Sequence, residues 1–192
     1  MKRILSLLLI ACSLQGCIFV VGAAIGAAAA AGVYDHRTVE YTMRDVKTSN
    51  AIVEKIRANQ AMRDNCHIEV TVFNGIVLLS GQTPSDAWRQ QAEGYAQNTP
   101  NVDKVYNQLT IEGPTSSLTR ASDSWITTKV RSLMLANQDL KSSSIKVVTE
   151  NGVVYLMGIV SQNQANIAID IARQVSGVQK VVKIFQYDNT LN

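Results

Sequence analysis

The apolar and polar positions of this chain write one pattern twice. Ile68 and Val70 alternate with polar neighbours as far as Phe73, Asn74-Gly75 interrupts, and the run Ile76-Val77-Leu78-Leu79 follows. The same order returns as Ile145, Val147, Asn151-Gly152 and Val153-Val154-Tyr155-Leu156. Alternation with a period of two predicts strands. Asn-Gly between two such runs predicts a two-residue hairpin, because both turn positions need positive φ. The match runs from Phe73–Gly81 onto Glu150–Gly158 at an offset of 77. Upstream, Ile52, Lys55, Ile56 and Arg57 match Ile126, Lys129, Val130 and Arg131 at an offset of 74. Downstream, Val102, Lys104 and Val105 match Val178, Lys180 and Val181 at an offset of 76. The offset changes only between elements, as loop insertions and deletions require. This is an internal repeat of a small foldable unit.

Each copy predicts helix, strand, strand, helix, strand. In the first copy, Ile52, Ile56 and Ala58 follow Thr48-Ser49-Asn50, which offers N-cap residues. Thr83-Pro84-Ser85-Asp86 predicts a second helix with Thr83 as its cap, Pro84 where no amide hydrogen is needed and Asp86 at the positive end. Ala92, Tyr95 and Ala96 lie on its buried side, and Thr99-Pro100-Asn101 stops it. The third strand runs from Val105 to Ile111, with Val105, Asn107, Leu109 and Ile111 on one face. In the second copy a helix runs from Trp125 to about Ala136. Ser161 caps another that reaches about Val175, where Ser176-Gly177 ends it. Val181–Tyr187 closes the second sheet. The folded units are therefore expected at 46–113 and 122–188, joined by a linker over 114–121 marked by Pro114-Thr115-Ser116-Ser117, directly after Gly113.

The N-terminus reads as an address. Met1-Lys2-Arg3 is positive, Ile4 to Ala11 is a short apolar run, and small residues precede a cleavage point. Leu14-Gln15-Gly16-Cys17 resembles a bacterial lipobox. That resemblance implies a signal peptide over 1–16, acylation of Cys17 and a flexible tether over 17–45. Ile18, in place of Asp after the acylated cysteine, resembles the signal for an outer-membrane destination. An ordinary signal peptide with a chance cysteine, or an uncleaved membrane helix, are the alternatives. The Gly- and Ala-rich stretch from Gly22 to Gly32 gains little from hydrocarbon and weighs against the helix. Two or three acyl chains, at roughly 0.8 kcal/mol per buried methylene, anchor a protein stably. With Cys12 removed and Cys17 acylated, Cys66 remains alone, and no intrachain disulfide forms. Beside His67 it is expected to be a buried structural cysteine and not a metal ligand, since adjacent strand residues point to opposite faces.

Composition narrows the function. The chain is 46% hydrophobic and 17% charged, so it is not disordered by composition. A formal net charge of +3, with Lys2 and Arg3 in the signal, argues against a nucleic-acid binder. His36 and His67 are the only histidines, and neither sits in a metal spacing. No phosphate loop, nucleophile elbow or zinc-protease motif occurs, and no carboxylate pair suggests acid–base work. The chain is expected to be no enzyme and to need no metal or cofactor.

The tandem order, the Asn-Gly hairpins ending in Leu78-Leu79-Ser80-Gly81 and Tyr155-Leu156-Met157-Gly158, and the following strands resemble BON domains. Together with the lipobox, the string Ser124-Trp125-Ile126-Thr127-Thr128-Lys129-Val130-Arg131 resembles the dual-BON-domain outer-membrane lipoproteins of Gram-negative bacteria. The resemblance implies an α+β fold of two tandem BON domains. Each is an αββαβ sandwich, with a three-stranded mixed sheet packed on two helices. It further implies a lipid-anchored protein on the inner leaflet of the outer membrane, facing the periplasm. It also implies that the second copy binds anionic phospholipid such as phosphatidylglycerol or cardiolipin, and that the protein has a part in envelope integrity at the division septum.

The copies differ where that function should sit. In the helix from Trp125, the core face is read as Ile126, Val130, Leu133 and Met134. The other side carries Trp125, Thr128, Lys129, Ser132, Leu135 and Ala136, with Arg131 on the flank. An ordinary solvated face is richer in Glu, Lys and Gln. Indole favours a membrane interface, Leu135 can enter acyl chains, and Lys129 and Arg131 can meet phosphates. In the first copy, Ala51, Glu54 and Ala58 replace Trp125, Thr128 and Ser132. Charge agrees: 35–113 holds 8 basic and 10 acidic residues, whereas 114–192 holds 8 and 5. The residues alone leave lipid and protein contact equally open for Trp125; the resemblance favours lipid. The second reading is a periplasmic adaptor of the outer-membrane assembly machinery. Trp88, replaced by Ala165 in the second copy, is read as packing or interdomain contact.

Overall fold

The computed structural model describes residues 39–188 and Thr190. The lipobox, Cys17 and the tether as far as Thr38 lie outside the described residues. Arg37–Asn192 forms one compact unit.

The first copy comprises α1 (Val39–Ala58), a short α2 (Gln60–Asn65), β1 (His67–Phe73), β2 (Ile76–Thr83), α3 (Asp86–Gln97), β3 (Lys104–Asn107) and β4 (Thr110–Ile111). The second comprises α4 (Ser117–Ala136), a 3-10 turn at Ser142–Ser144, β5 (Ile145–Glu150), β6 (Val153–Val160), α5 (Gln162–Arg173) and β7 (Lys180–Tyr187). The expected α+β repeat is present. β1 pairs antiparallel with β2, which pairs parallel with β3 and β4; β5, β6 and β7 repeat the arrangement. Each sheet is therefore mixed.

The hairpins turn as the Asn-Gly pairs require. Asn74 and Gly75 have φ of 49° and 74°, and Asn151 and Gly152 have 48° and 72°. Each turn is held by a buried carboxylate from the first helix of its copy. Asp45 accepts from the amides of Asn74 at 2.7 Å and Gly75 at 3.2 Å. Asp123 accepts from those of Asn151 at 2.8 Å and Gly152 at 2.9 Å. The glycine closing each sequence motif has a steric cause. A Cβ on Gly81 would meet the His67 carbonyl oxygen at 2.0 Å, and one on Gly158 the Ser144 carbonyl oxygen at 2.5 Å.

Several boundaries differ from the sequence reading. α1 begins at Val39, so Thr48, Ser49 and Asn50 lie in mid-helix and 39–45 is not tether. Thr48 is buried and Ser49 Oγ donates to the Val70 carbonyl. Ser117–Ala121, expected in the linker, are the first turns of α4, because Ser116 caps it by accepting from the Thr119 amide at 3.1 Å. Ser85, not Thr83, caps α3. Thr83 ends β2, and its hydroxyl accepts from the Ser85 amide at 3.2 Å. The third strand of the first copy breaks at Gln108-Leu109. Asn107 Oδ1 accepts from the Leu109 amide at 3.2 Å and turns the chain out of pairing. Leu109 is buried while Ile111 is exposed. Cys66 is half-buried where a buried side chain was expected. Burial pushes its thiol pKa up, and a hydrogen bond with Thr83 partly offsets this. Trp88 packs within the first copy's own core.

Each sheet is covered on both faces. One face of the first sheet packs Val72, Val77 and Leu79 against Ile52, Ile56, Ala92 and Ala96 of α1 and α3. One face of the second packs Val147, Val154 and Leu156 against Ile126, Val130, Ala168 and Ala172 of α4 and α5. The remaining faces meet each other through Phe73, Leu78, Tyr155, Met157 and Ile184. The layers run helix, sheet, sheet, helix, so the first copy's helices and the second copy's form opposite outer walls. Full burial of one such side chain contributes about 1.5–3 kcal/mol.

A polar latch closes one end of the sheet–sheet seam. Gln82 Nε2 donates to Glu150 Oε1 at 2.7 Å, while Gln82 Oε1 accepts from the amide of linker residue Thr115 at 3.1 Å. His67 Nε2 lies 3.6 Å from Glu150 Oε2. Nearby, burial and then the Glu150 charge raise the pKa of Tyr155. At the other end Asn74 Nδ2 donates to Gln186 Oε1 at 2.8 Å.

Candidate functional site

Helix α4 divides cleanly. Asp123, Ile126, Val130 and Met134 are buried, the carboxylate on its hairpin and the others in the core. The opposite side presents Trp125, 55% exposed, and Leu135, 77% exposed. Thr128, Lys129, Arg131 and Ser132 are exposed around them. All six side chains named from the sequence thus lie outside the core. Leu133, read as a core residue, is 37% exposed instead. Asp123, which precedes the helix as the sequence reading bounds it, is buried on the core side.

The hydroxyls are already engaged. Ser124, Thr128 and Ser132 each donate to the carbonyl four residues earlier, at 3.0, 2.9 and 2.9 Å. Such bonds satisfy the hydroxyl hydrogen along the helix and leave its lone pairs outward. Donation to an anion therefore falls to the Lys129 ammonium and the Arg131 guanidinium. Neither forms an ion pair among the described residues. An ammonium acts as a point charge, and a guanidinium can fork onto two phosphate oxygens.

Leu118 was missed by the sequence reading, which placed it in the linker. It is 79% exposed and stands seven residues before Trp125, two turns along one face. The exposed apolar stripe is therefore longer than expected, from Leu118 through Trp125 to Leu135. Beside Ser124 and Thr128 opens a cleft of about 370 Å³, lined also by Arg120 and Thr127 and, from the other copy, by His67 and Glu69.

The matching helix α1 carries Ala51, Glu54 and Ala58 at the equivalent positions, with Ala51 half-buried and the others exposed. Its exposed apolar residues lie earlier. Val39, Met43 and Val46, 75%, 53% and 50% exposed, follow helical spacing along one face. The sequence reading assigned Val39 and Met43 to the tether and began the first folded unit at Val46, although the four- and three-residue spacing was present to be read. No group of three metal-binding side chains occurs among the described residues, and no helix among them is long and apolar enough to cross a membrane.

Comparison with known proteins agrees with the two-copy architecture. The BON domain pattern matches residues 45–113 and 122–189. The chain is 36% identical to outer membrane lipoprotein DolP of Haemophilus influenzae over 188 residues, 97% of this chain and 96% of that protein. It is 33% identical to the 21 kDa hemolysin of Actinobacillus pleuropneumoniae over 80% of this chain and 79% of that one. It is also 32% identical to osmotically-inducible protein Y of Escherichia coli over 69% of each. With two BON matches, each covering one copy of the sandwich, and a lipoprotein relative aligned along almost its full length, the chain belongs to the BON family, as a dual-domain outer-membrane lipoprotein of the DolP type.

Proposed function

We propose that the second copy rests α4 in the headgroup layer of an anionic phospholipid bilayer. The observation that carries this reading is the outward presentation of Trp125 and Leu135 beside Lys129 and Arg131, at positions where the first copy has Ala51 and Glu54. The indole sits at the polar boundary, the leucines enter the acyl region, and the two cations meet phosphate. Each well-placed cation contributes on the order of 1 kcal/mol near an anionic surface, so affinity comes from several contacts together. Phosphatidylglycerol and cardiolipin supply the required charge. Acylation of Cys17 holds the chain on the inner leaflet of the outer membrane, where α4 meets lipid at high local concentration. The protein works by binding, without a catalytic step, and supports envelope integrity with enrichment at the division septum.

The test uses residues 37–192, which carry both cores. Trp125→Glu is expected to weaken binding to phosphatidylglycerol vesicles by about ten-fold or more, while the circular dichroism spectrum stays unchanged. Equal binding by the variant and the parent sinks the reading. A second reading, an adaptor of the outer-membrane assembly machinery, is favoured by the Val39–Met43–Val46 stripe on the opposite wall. Crosslinks from that stripe to a protein, insensitive to Trp125→Glu, would support it.

A further inference from the structure

We propose that the second copy carries a second phosphate-contact patch, formed where the end of α5 meets the edge strand β7. The proposal rests on the bilayer reading of α4 and extends its footprint. An open groove of about 790 Å³ runs between the two elements, and Arg173, Lys180 and Lys183 line it with Asp170 as its single acid. Lys180 and Lys183 are exposed. Arg173 Nη1 lies 3.8 Å from Asp170 Oδ1, with both side chains about two-thirds exposed, so this pair is weak and open to exchange for another anion.

The first copy provides the control. At an offset of 76, Ile169, Asp170, Arg173, Gln179, Lys180 and Lys183 become Glu93, Gly94, Gln97, Asp103, Lys104 and Asn107. Three cations and one acid in the second copy are matched by one cation and two acids in the first. In the first copy the groove also closes on itself, because Asn107 Nδ2 donates to Glu93 Oε2 at 3.0 Å and to the Arg89 carbonyl at 3.1 Å. The charge difference between the copies therefore has two addresses. One is α4; the other is this groove.

Position makes the two addresses cooperative. α4 and α5 cover the same face of the second sheet, and β7 borders α5. Val181 and Phe185 point to that helical layer, and Lys183 stands between them in the strand alternation, on the same face. Helices pack 8–10 Å apart, so a bilayer touching the α4 face lies within about two helix widths of the groove. Two separated charge contacts fix the tilt of the second copy on the surface, which a single helix does not.

The test compares four forms of residues 37–192 on mixed phosphatidylglycerol–phosphatidylcholine vesicles, with pure phosphatidylcholine as the uncharged control. The forms are the parent, Lys180→Glu with Lys183→Glu, Lys47→Glu with Arg57→Glu, and Trp125→Glu. Lys47 and Arg57 are exposed on α1 of the first copy, and both charge reversals change net charge equally. The groove pair is expected to weaken binding about ten-fold or more and to flatten its salt dependence, while the indole emission on saturating vesicles still shifts to the blue. The α1 pair is expected to change affinity less than about three-fold, since long-range charge is screened. Parent-like binding by the groove pair overturns the patch and leaves the α4 reading standing. An equal loss from both pairs overturns it too, as an effect of overall charge. Absence of parent binding to charged vesicles removes both readings together.

Discussion

Helices α1 and α4 hold the same place in their copies and bury matching positions, Ile52 with Ile126 and Ile56 with Val130. Each sends a carboxylate to the Asn-Gly turn of its own hairpin. Their outer faces share almost nothing. α4 exposes Leu118, Trp125 and Leu135 among cations, whereas α1 exposes Val39, Met43 and Val46 in its first half and Glu54 further on. The inner half of each helix packs on matching sheet residues, Val77 with Val154 and Leu79 with Leu156, so it is held alike. The outer half answers to whatever meets that wall. Difference between copies is therefore a better guide to function here than the pattern they have in common.

Separating the copies should have the largest effect. Residues 114–192 alone would leave Tyr155, Met157 and Ile184 without Phe73 and Leu78, a contiguous apolar face open to water. The fragment is expected to self-associate or to unfold with loss of cooperativity, seen by sedimentation and by dye binding. A soluble, monomeric fragment with a sharp melting transition would show that the sheet–sheet seam is dispensable. Next come the two turn carboxylates. Asp45→Ala and Asp123→Ala each strip partners from two hairpin amides. Each is expected to cost on the order of 3 kcal/mol in urea unfolding, and the two should be alike. A large gap between them would mean that the copies use their hairpins differently. The smallest effect concerns Cys66, whose place in the second copy is taken by Ser143. Burial raises its thiol pKa, so less thiolate is present near neutrality and alkylation is slow. The labelling rate should keep rising at pH values where an unperturbed thiol has reached its plateau.

The repeat, the hairpins and the αββαβ order are legible because they rest on local chemistry: positive φ at Asn-Gly, alternation in the strands, and the Ser161 cap. The outward placement of Trp125 and Leu135 follows from helical spacing alone. Long-range partners are not written locally. Ser117–Ala121 is polar and small enough to read as linker until its Ser116 cap is seen. Thr48-Ser49-Asn50 resembles a helix start, yet the helix runs on upstream through Asp45, which accepts from the hairpin amides, to Val39. Leu133 fits the apolar period loosely, but it lies about 100° round the helix from Met134 and falls at the margin of the buried stripe Ile126, Val130 and Met134. The groove beside β7 needed the fold, because Arg173 and Lys183 are brought together across a turn.

The four-layer order has a further consequence. Strands β2 and β6 are pressed on both sides, by their own helices and by the sister sheet, so a change in either must suit two neighbours at once. The outer walls carry no such double obligation. A repeated unit built this way is free to diverge on its two exteriors while the sheet positions under its helices, Val77 with Val154 and Leu79 with Leu156, stay the same. One repeated motif can thus supply two unlike surfaces facing opposite directions on one compact unit.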